Sequence, residues 1–145
     1  MTDHCQDVRD LLAAFWESRW DDCIAHFSVD ALYEDPLLPE PVHGKQGILD
    51  IFKYCHSWGT YRGEIRGIFC TDRLATAELR IRGRVTSPPD GMPDSVVGKE
   101  FDFAEADVFE FDDSGRVVRE TIYADVYTLM RQLGQLANTP AAAAS

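Results

Sequence analysis

Basic residues are scarce in this chain of 145 residues. Its 14 Lys and Arg stand against 25 Asp and Glu, which leaves a formal net charge of −11 at pH 7. The local concentration of positive charge is limited to the alternating run Arg80, Arg82 and Arg84. Binding to a nucleic-acid backbone requires clustered positive charge. The sequence therefore argues against a nucleic-acid partner and, for the same reason, against an anionic membrane surface.

Long apolar runs and metal-binding patterns are also missing. No stretch of about 18 consecutive apolar residues occurs, and the first residues show no basic start followed by an apolar segment. The four cysteines, Cys5, Cys23, Cys55 and Cys70, have neither C-x-x-C spacing nor a paired histidine motif, so a zinc site is not indicated. We expect these cysteines to be reduced core residues of a cytosolic protein.

The remaining composition is that of one folded domain. Hydrophobic residues make up 45% of the chain and aromatic residues 11%, which is enough apolar surface for a sizeable core. The last residues, QLANTPAAAAS, offer little that could pack. We expect a single domain over residues 1–134 and a flexible tail over 135–145.

Apolar spacing predicts helices first and strands afterwards. Helical periodicity is present over 3–18, 20–27 and 45–56, and again over 126–133. Strand patterns are present over 31–34, 61–71, 74–87, 96–111 and 116–125. Three helices ahead of consecutive antiparallel strands are typical of an α+β fold. A curved sheet that is covered by helices on one side would leave a cavity.

The segment EFDFAEADVFEF, residues 100–111, places carboxylates among aromatic residues. Its odd positions are Phe101, Phe103, Glu105, Asp107, Phe109 and Phe111. Period two puts Asp107 on the buried face of the strand, together with Glu105 unless a β-bulge shifts the register. Burial penalises an ionised carboxylate, so the pKa of Asp107 should be raised and its carboxyl could donate a hydrogen bond. Alternatively, Asp107 pairs with an arginine such as Arg82 or reaches solvent at the sheet edge.

Asp35 is the second candidate for a catalytic carboxylate. It follows the short predicted strand in the sequence Y-E-D-P, where Pro36 restricts the backbone before it and Pro39 and Pro41 stiffen the loop beyond. A base on such a turn is well positioned. Aspartate before proline is also a common turn starter without any catalytic role, so both interpretations stay open at this point.

Two segments resemble the ketosteroid isomerase family. FSVDALYEDP with the following VHGKQGI is similar to the segment that holds that family's proton-abstracting aspartate. ADVFEFDDSGRVV is similar to the segment in which a protonated aspartate stabilises the dienolate oxygen. The resemblance spans roughly residues 8–125 and implies that Asp35 is the base and Asp107 the acid. It also implies the nuclear-transport-factor-2-like fold of SnoaL-like polyketide cyclases, a cone-shaped barrel in which a strongly curved, mainly antiparallel sheet and three N-terminal helices enclose an apolar pocket.

The chain departs from the family pattern at the second oxyanion donor. The family has a tyrosine on the first helix, and the matching position here is Leu11. Removing an oxyanion donor commonly costs orders of magnitude in rate. Tyr33, Tyr54 or Tyr123 could supply the missing hydroxyl from another wall of the pocket.

Further pocket candidates are aromatic or titratable. The aromatic candidates are Phe15, Trp58 and Phe103. His26 could approach the pocket mouth and serve as the histidine of scytalone-type dehydratases, although a lone histidine more often packs or faces solvent. Glu120 and Asp125 on the last strand are further candidates, and each is more readily interpreted as a solvated or end-of-strand residue.

The expected chemistry is acid and base catalysis on a small apolar carbonyl compound of the steroid, polyketide or terpenoid type. Asp35 would remove a proton beside the carbonyl, and Asp107 would stabilise the enolate, which leads to double-bond migration, ring closure or loss of water. The substrate carbonyl is the electron sink, so we expect neither a metal nor an organic cofactor.

Three alternatives remain: a dehydratase, an epoxide-opening enzyme, or a non-catalytic ligand-binding or dimerisation module. Limonene epoxide hydrolase uses an arginine and two aspartates, which the spacing of Arg80 and Arg82 does not reproduce. Domains of this fold group often pair through their sheets, so we expect a homodimer.

Overall fold

The computed structural model describes residues 3–136. The predicted flexible tail over 135–145 therefore lies almost entirely outside the described residues. The helices are α1 (His4–Trp16), α2 (Trp20–Ala25), α3 (Lys45–Trp58) and α4 (Val126–Gln132), close to their predicted bounds. In this part of the chain no helix is long and apolar enough to cross a membrane.

Aspartates cap two of these helices. The Asp3 carboxylate accepts a hydrogen bond from the backbone N–H of Gln6 at 3.2 Å and so caps the start of α1. The Asp125 carboxylate accepts from the backbone N–H of Thr128 at 3.0 Å and starts α4. Hydrogen bonds from the side chain and backbone of Thr128 lower the pKa of Asp125. Asp125 is therefore an end-of-strand capping residue.

Six strands form one sheet. They are β1 (Phe27–Glu34), β2 (Val42–His43), β3 (Gly59–Cys70), β4 (Leu74–Val85), β5 (Glu100–Phe111) and β6 (Val117–Ala124). Their order is β2-β1-β6-β5-β4-β3. All neighbouring pairs are antiparallel except β1 and β6, which are parallel. Helices α1, α3 and α4 pack against this sheet, which confirms the α+β class.

The first strands differ most from the prediction. β1 begins at Phe27 instead of residue 31, because the chain from Phe27 onward pairs in parallel with β6. β2 lies within the proline-rich segment that was expected to be irregular, and its two residues pair with Leu32 and Tyr33 of β1. Both differences come from pairing with a distant segment, which local composition does not report.

Strand β5 keeps an unbroken register with β4, from Arg84 opposite Glu100 to Leu74 opposite Glu110. No bulge intervenes, so side chains at the odd positions of β5 lie on one face. That face is the buried one, since Phe101, Phe103 and Phe109 belong to the core. The period-two prediction for this strand is confirmed.

The cysteine prediction is wrong for two of the four residues. Cys5 at the start of α1 and Cys70 at the end of β3 form a disulfide across a sequence separation of 65 residues. Cys23 and Cys55 are free. Disulfides are rare in reducing compartments, so this bridge removes the cysteine argument for a cytosolic location.

Candidate active site

A cavity of about 210 Å³ lies between the inner face of the sheet and the helices. Helices α1, α3 and α4, the inner face of strands β1 and β3 to β6, and the loop after β4 form its wall. Most of the wall is apolar. Its apolar and aromatic members include Leu11, Phe15, Phe52, Trp58, Leu79, Phe103, Ile122 and Leu129.

Asp107 lies in this wall, deep in the sheet. Its direct neighbours across the two adjacent strands are Ala77 on β4 and Ile122 on β6, and both are apolar. The side chain is only 3% exposed, and its Oδ1 has no hydrogen-bond partner within residues 3–136. The alternative that Asp107 pairs with Arg82 is wrong, because Arg82 binds Asp102 and Glu64 on the other face of the sheet.

Burial is the main reason why the Asp107 carboxyl resists ionisation. It raises the pKa of Asp107 well above the ordinary value, and the charges of Glu105 and Glu120 raise it further. Glu105 stands two residues earlier on the same strand and also lines the cavity. Burial raises the pKa of Glu105 to about 7. The cavity therefore holds carboxylic acids that can donate hydrogen bonds near neutral pH.

Asp35 is held differently. It immediately follows β1, where its Oδ2 accepts a hydrogen bond from the Tyr33 hydroxyl at 3.0 Å and its Oδ1 accepts from the Leu37 backbone N–H at 2.8 Å. Burial raises the pKa of Asp35, but both hydrogen bonds act in the opposite direction. Asp35 thus has support for its ionised form that Asp107 lacks, and both side chains line the same cavity.

Glu120 was a pocket candidate for which the sequence favoured a solvated position. It is instead 3% exposed, lies opposite Phe109 of β5 and Tyr33 of β1, and lines the cavity. Its Oε2 has no hydrogen-bond partner among the described residues. Burial raises its pKa well above the ordinary value. Ile122 was the available signal for this position. It is a core residue of β6, and a residue two positions earlier on a strand lies on the same face.

Three tyrosines line the cavity although α1 contributes none. Tyr33 donates its hydroxyl proton to Asp35. The Tyr54 hydroxyl oxygen accepts a hydrogen bond from the backbone N–H of Asp90 at 2.9 Å, which leaves its own proton free for a ligand. Tyr61 also lines the wall and was not predicted, and burial raises its pKa. Tyr123, in contrast, is 62% exposed and lies outside the cavity.

The other predicted pocket residues separate into two groups. Leu11, Phe15, Trp58 and Phe103 line the cavity. His26 follows α2 and lies outside the wall, so the structure does not bring it to Asp35 and Asp107. Within residues 3–136, no arginine, lysine or histidine lines the cavity, and no group of three or more histidine, cysteine, aspartate or glutamate side chains is placed to hold a metal ion.

Comparison with known proteins identifies the family of this chain. A family model described as SnoaL-like domain matches residues 8–120. A search of curated protein sequences gave no significant match.

Several solved structures are similar over nearly the whole chain. A candidate polyketide cyclase from Pseudomonas putida superposes with a TM-score of 0.79 and 19% identity, over 91% of this chain and 98% of the other. An LEH-like epoxide hydrolase from M. tuberculosis gives 0.71 and 19%, over 91% and 90%. A ketosteroid isomerase-like protein from Catenulispora acidiphila gives 0.72 and 15%, over 89% and 92%. At these identities the likeness shows a shared fold.

Proposed function

The chain belongs to the SnoaL-like domain family and has the nuclear-transport-factor-2-like fold, and we propose that it is a cofactor-independent acid/base enzyme. Its substrate would be a small apolar carbonyl compound of the steroid, polyketide or terpenoid type. The reaction would pass through an enolate and end in isomerisation or ring closure.

One observation carries the proposal: the buried Asp107 carboxyl, one of whose oxygens has no hydrogen-bond partner among the described residues, lines the same apolar cavity as the hydrogen-bonded Asp35 carboxylate. Buried polar atoms normally have partners. A carboxyl that stays protonated can donate a hydrogen bond to a substrate oxygen, and that bond strengthens as negative charge develops on the oxygen. A carboxylate that stays ionised can accept the proton.

The proposed steps use only these groups. Asp35 removes a proton from the carbon beside the carbonyl, and the electrons of that C–H bond form a C=C bond while the carbonyl oxygen becomes an enolate. The protonated Asp107 donates a hydrogen bond to this oxygen. For isomerisation, Asp35 returns its proton to a more distant carbon of the conjugated system. For ring closure, the enolate carbon attacks a second carbonyl, whose oxygen then receives the proton.

The cavity wall disfavours epoxide opening of the limonene epoxide hydrolase type. Arg80 and Arg82 both pair with Asp102 on the opposite face of the sheet, and the described wall contains no arginine. A dehydratase remains an alternative, because loss of water needs the same base and an acid at the leaving hydroxyl. A non-catalytic binding module is a further alternative, and the homodimer is also a proposal.

Exchange of α-protons with solvent tests enolate formation without knowledge of the natural substrate. A panel of β,γ-unsaturated ketones and 1,3-diketones would be incubated in D₂O with the protein, and deuterium incorporation would be followed by NMR. We expect Asp35→Asn to slow exchange by about 100-fold or more. Asp107→Asn should slow it by about 100-fold, because it removes a donor to the developing oxyanion.

Asp30→Asn is the matched control, since Asp30 lies on β1 but is exposed and outside the cavity. Wild-type protein that exchanges no proton of any ketone in the panel would contradict the proposal. Exchange that persists unchanged in Asp35→Asn would contradict the assigned base.

A further inference from the structure

The charge of the cavity wall is one-sided. Five carboxyl side chains contribute to it, namely Asp35, Asp90, Glu105, Asp107 and Glu120, and no arginine, lysine or histidine of residues 3–136 balances them. The enolate mechanism uses two of these carboxyls, Asp35 and Asp107. It gives no role to Glu120, which is as deeply buried as Asp107.

Two of the carboxyls present oxygen atoms that no protein group satisfies. The Oδ1 of Asp107 and the Oε2 of Glu120 are buried and have no hydrogen-bond partner in the described part of the chain. An unpartnered buried polar atom costs free energy, and a charged group costs more than a neutral one. Both atoms belong to side chains in the cavity wall. A ligand that donates hydrogen bonds at this wall would remove that cost.

Aromatic rings form much of the remaining wall. Phe15 and Phe52 meet edge to face with ring centroids 5.1 Å apart, and Trp58 and Tyr61 do so at 5.2 Å. The faces of such rings carry partial negative charge and attract cations, most strongly at desolvated sites. Carboxyls and aromatic faces therefore both favour a positive charge on a ligand.

We propose that the ligand of this cavity carries a protonated amine in addition to its apolar body, and that Glu120 receives the N–H groups. The inference rests on the proposed function only in placing the substrate in this cavity. A bound ammonium favours the ionised form of a nearby carboxyl, so the pair forms within the cavity when the ligand enters. A ligand with a carboxylate or phosphate would find no arginine, lysine or histidine of residues 3–136 in the cavity wall.

A matched series of three small probes tests the sign of the preferred charge. Cyclohexylmethylamine, cyclohexylmethanol and cyclohexanecarboxylate share one apolar ring and carry a positive, a zero and a negative charge at neutral pH. Isothermal titration calorimetry would give their affinities for the full chain. We expect the amine to bind at least about tenfold more tightly than the alcohol. The carboxylate should bind more weakly than the alcohol.

Variants locate the effect within the cavity. Glu120→Gln should reduce the preference for the amine over the alcohol by about tenfold while the alcohol still binds. Glu78→Gln removes the same charge from an exposed position on β4 outside the cavity and should leave the preference unchanged. This control separates local pairing from the general attraction of a chain with net charge −11 for cations.

Equal or tighter binding of the alcohol, or failure of the amine to bind, would overturn the inference. An amine preference that survives Glu120→Gln would overturn it as well. Failure here is distinguishable from failure of the enolate proposal. Proton exchange by a ketone without any amine preference would remove only this inference, and an amine preference without exchange of any ketone would remove only the enzymatic proposal.

Discussion

At the scale of single residues, two aspartates with the same intrinsic chemistry have different surroundings. Asp107 is buried with apolar residues directly across both adjacent strands, and one of its oxygens lacks a partner among the described residues. Asp35 receives two hydrogen bonds that favour its ionised form. Different surroundings thus support the proposed roles of Asp107 as the acid and Asp35 as the base within one cavity.

Tyr33→Phe tests how Asp35 is kept ionised. In the wild type, the Tyr33 hydroxyl donates a hydrogen bond to Asp35 Oδ2, and this bond lowers the pKa of Asp35. The variant lacks this bond. We therefore expect the pKa of Asp35 to rise in the variant, as measured by a carboxyl-region NMR titration. The acidic limb of the proton-exchange rate should move to higher pH in parallel. Tyr123→Phe, on the exposed outside of the sheet, should change neither. An unaltered Asp35 pKa in Tyr33→Phe would contradict this role.

At the scale of elements, α1 is attached to β3 near both of its ends. The Cys5–Cys70 disulfide joins its first turn to the end of β3. At its last residue, the indole of Trp16 occupies the space where a side chain at Gly63 would lie. Helix α1 carries Leu11 and Phe15 into the cavity wall. Its seating on β3 therefore controls the shape of the cavity.

Gly63→Ala tests this seating. The added methyl group would overlap the Trp16 ring, so the ring must move. We expect the free energy of unfolding to fall by about 1–3 kcal/mol, as is usual for overpacking. Urea denaturation would measure this change. Gly67→Ala is a matched control on the same strand, because its Cβ would meet the Phe69 ring at an ordinary 3.5 Å. Similar stabilities for the two variants would show that the position of the Trp16 ring does not depend on the absence of a side chain at Gly63.

At the scale of the whole molecule, titrating carboxyls link stability to pH in two opposite ways. Glu105, Asp107 and Glu120 have raised pKa values in the folded protein, mainly because of burial. Their contribution to stability is fully present below the ordinary carboxyl pKa and is lost as pH rises through the folded values. Asp102 has a lowered pKa, because it accepts hydrogen bonds from Arg80 and Arg82. Its contribution is lost in acid.

The protein should therefore be most stable on the acidic side of neutrality. We expect the melting temperature, followed by circular dichroism, to fall between about pH 5 and about pH 8, because the unfolded chain releases protons that the buried carboxyls retain. Asp107→Asn should flatten this decline and raise the melting temperature most at the higher pH. A wild-type melting temperature that rises steadily over this interval would show that the buried carboxyls are already ionised at low pH.

Much of the site could be predicted from local sequence. Alternation along residues 100–111 correctly placed Asp107 beside phenylalanines, because side chains of a strand point to opposite faces in turn. The Y-E-D-P sequence correctly placed Asp35 at the end of a strand, because proline restricts the residue before it. The helices also follow their predicted bounds closely. These features depend on steric rules that act over a few residues.

Other features depend on which distant segments meet, and local pattern does not record this. The parallel pairing of β1 with β6 extends β1 to Phe27 and encloses Glu120 between Tyr33 and Phe109. The same folding brings Cys5 to Cys70 and leaves His26 and Tyr123 outside the cavity. The sequence by itself determined the α+β class and the two candidate aspartates. Only the tertiary structure decided which further side chains surround them, because burial and unpaired charge are properties of contacts between segments far apart in the chain.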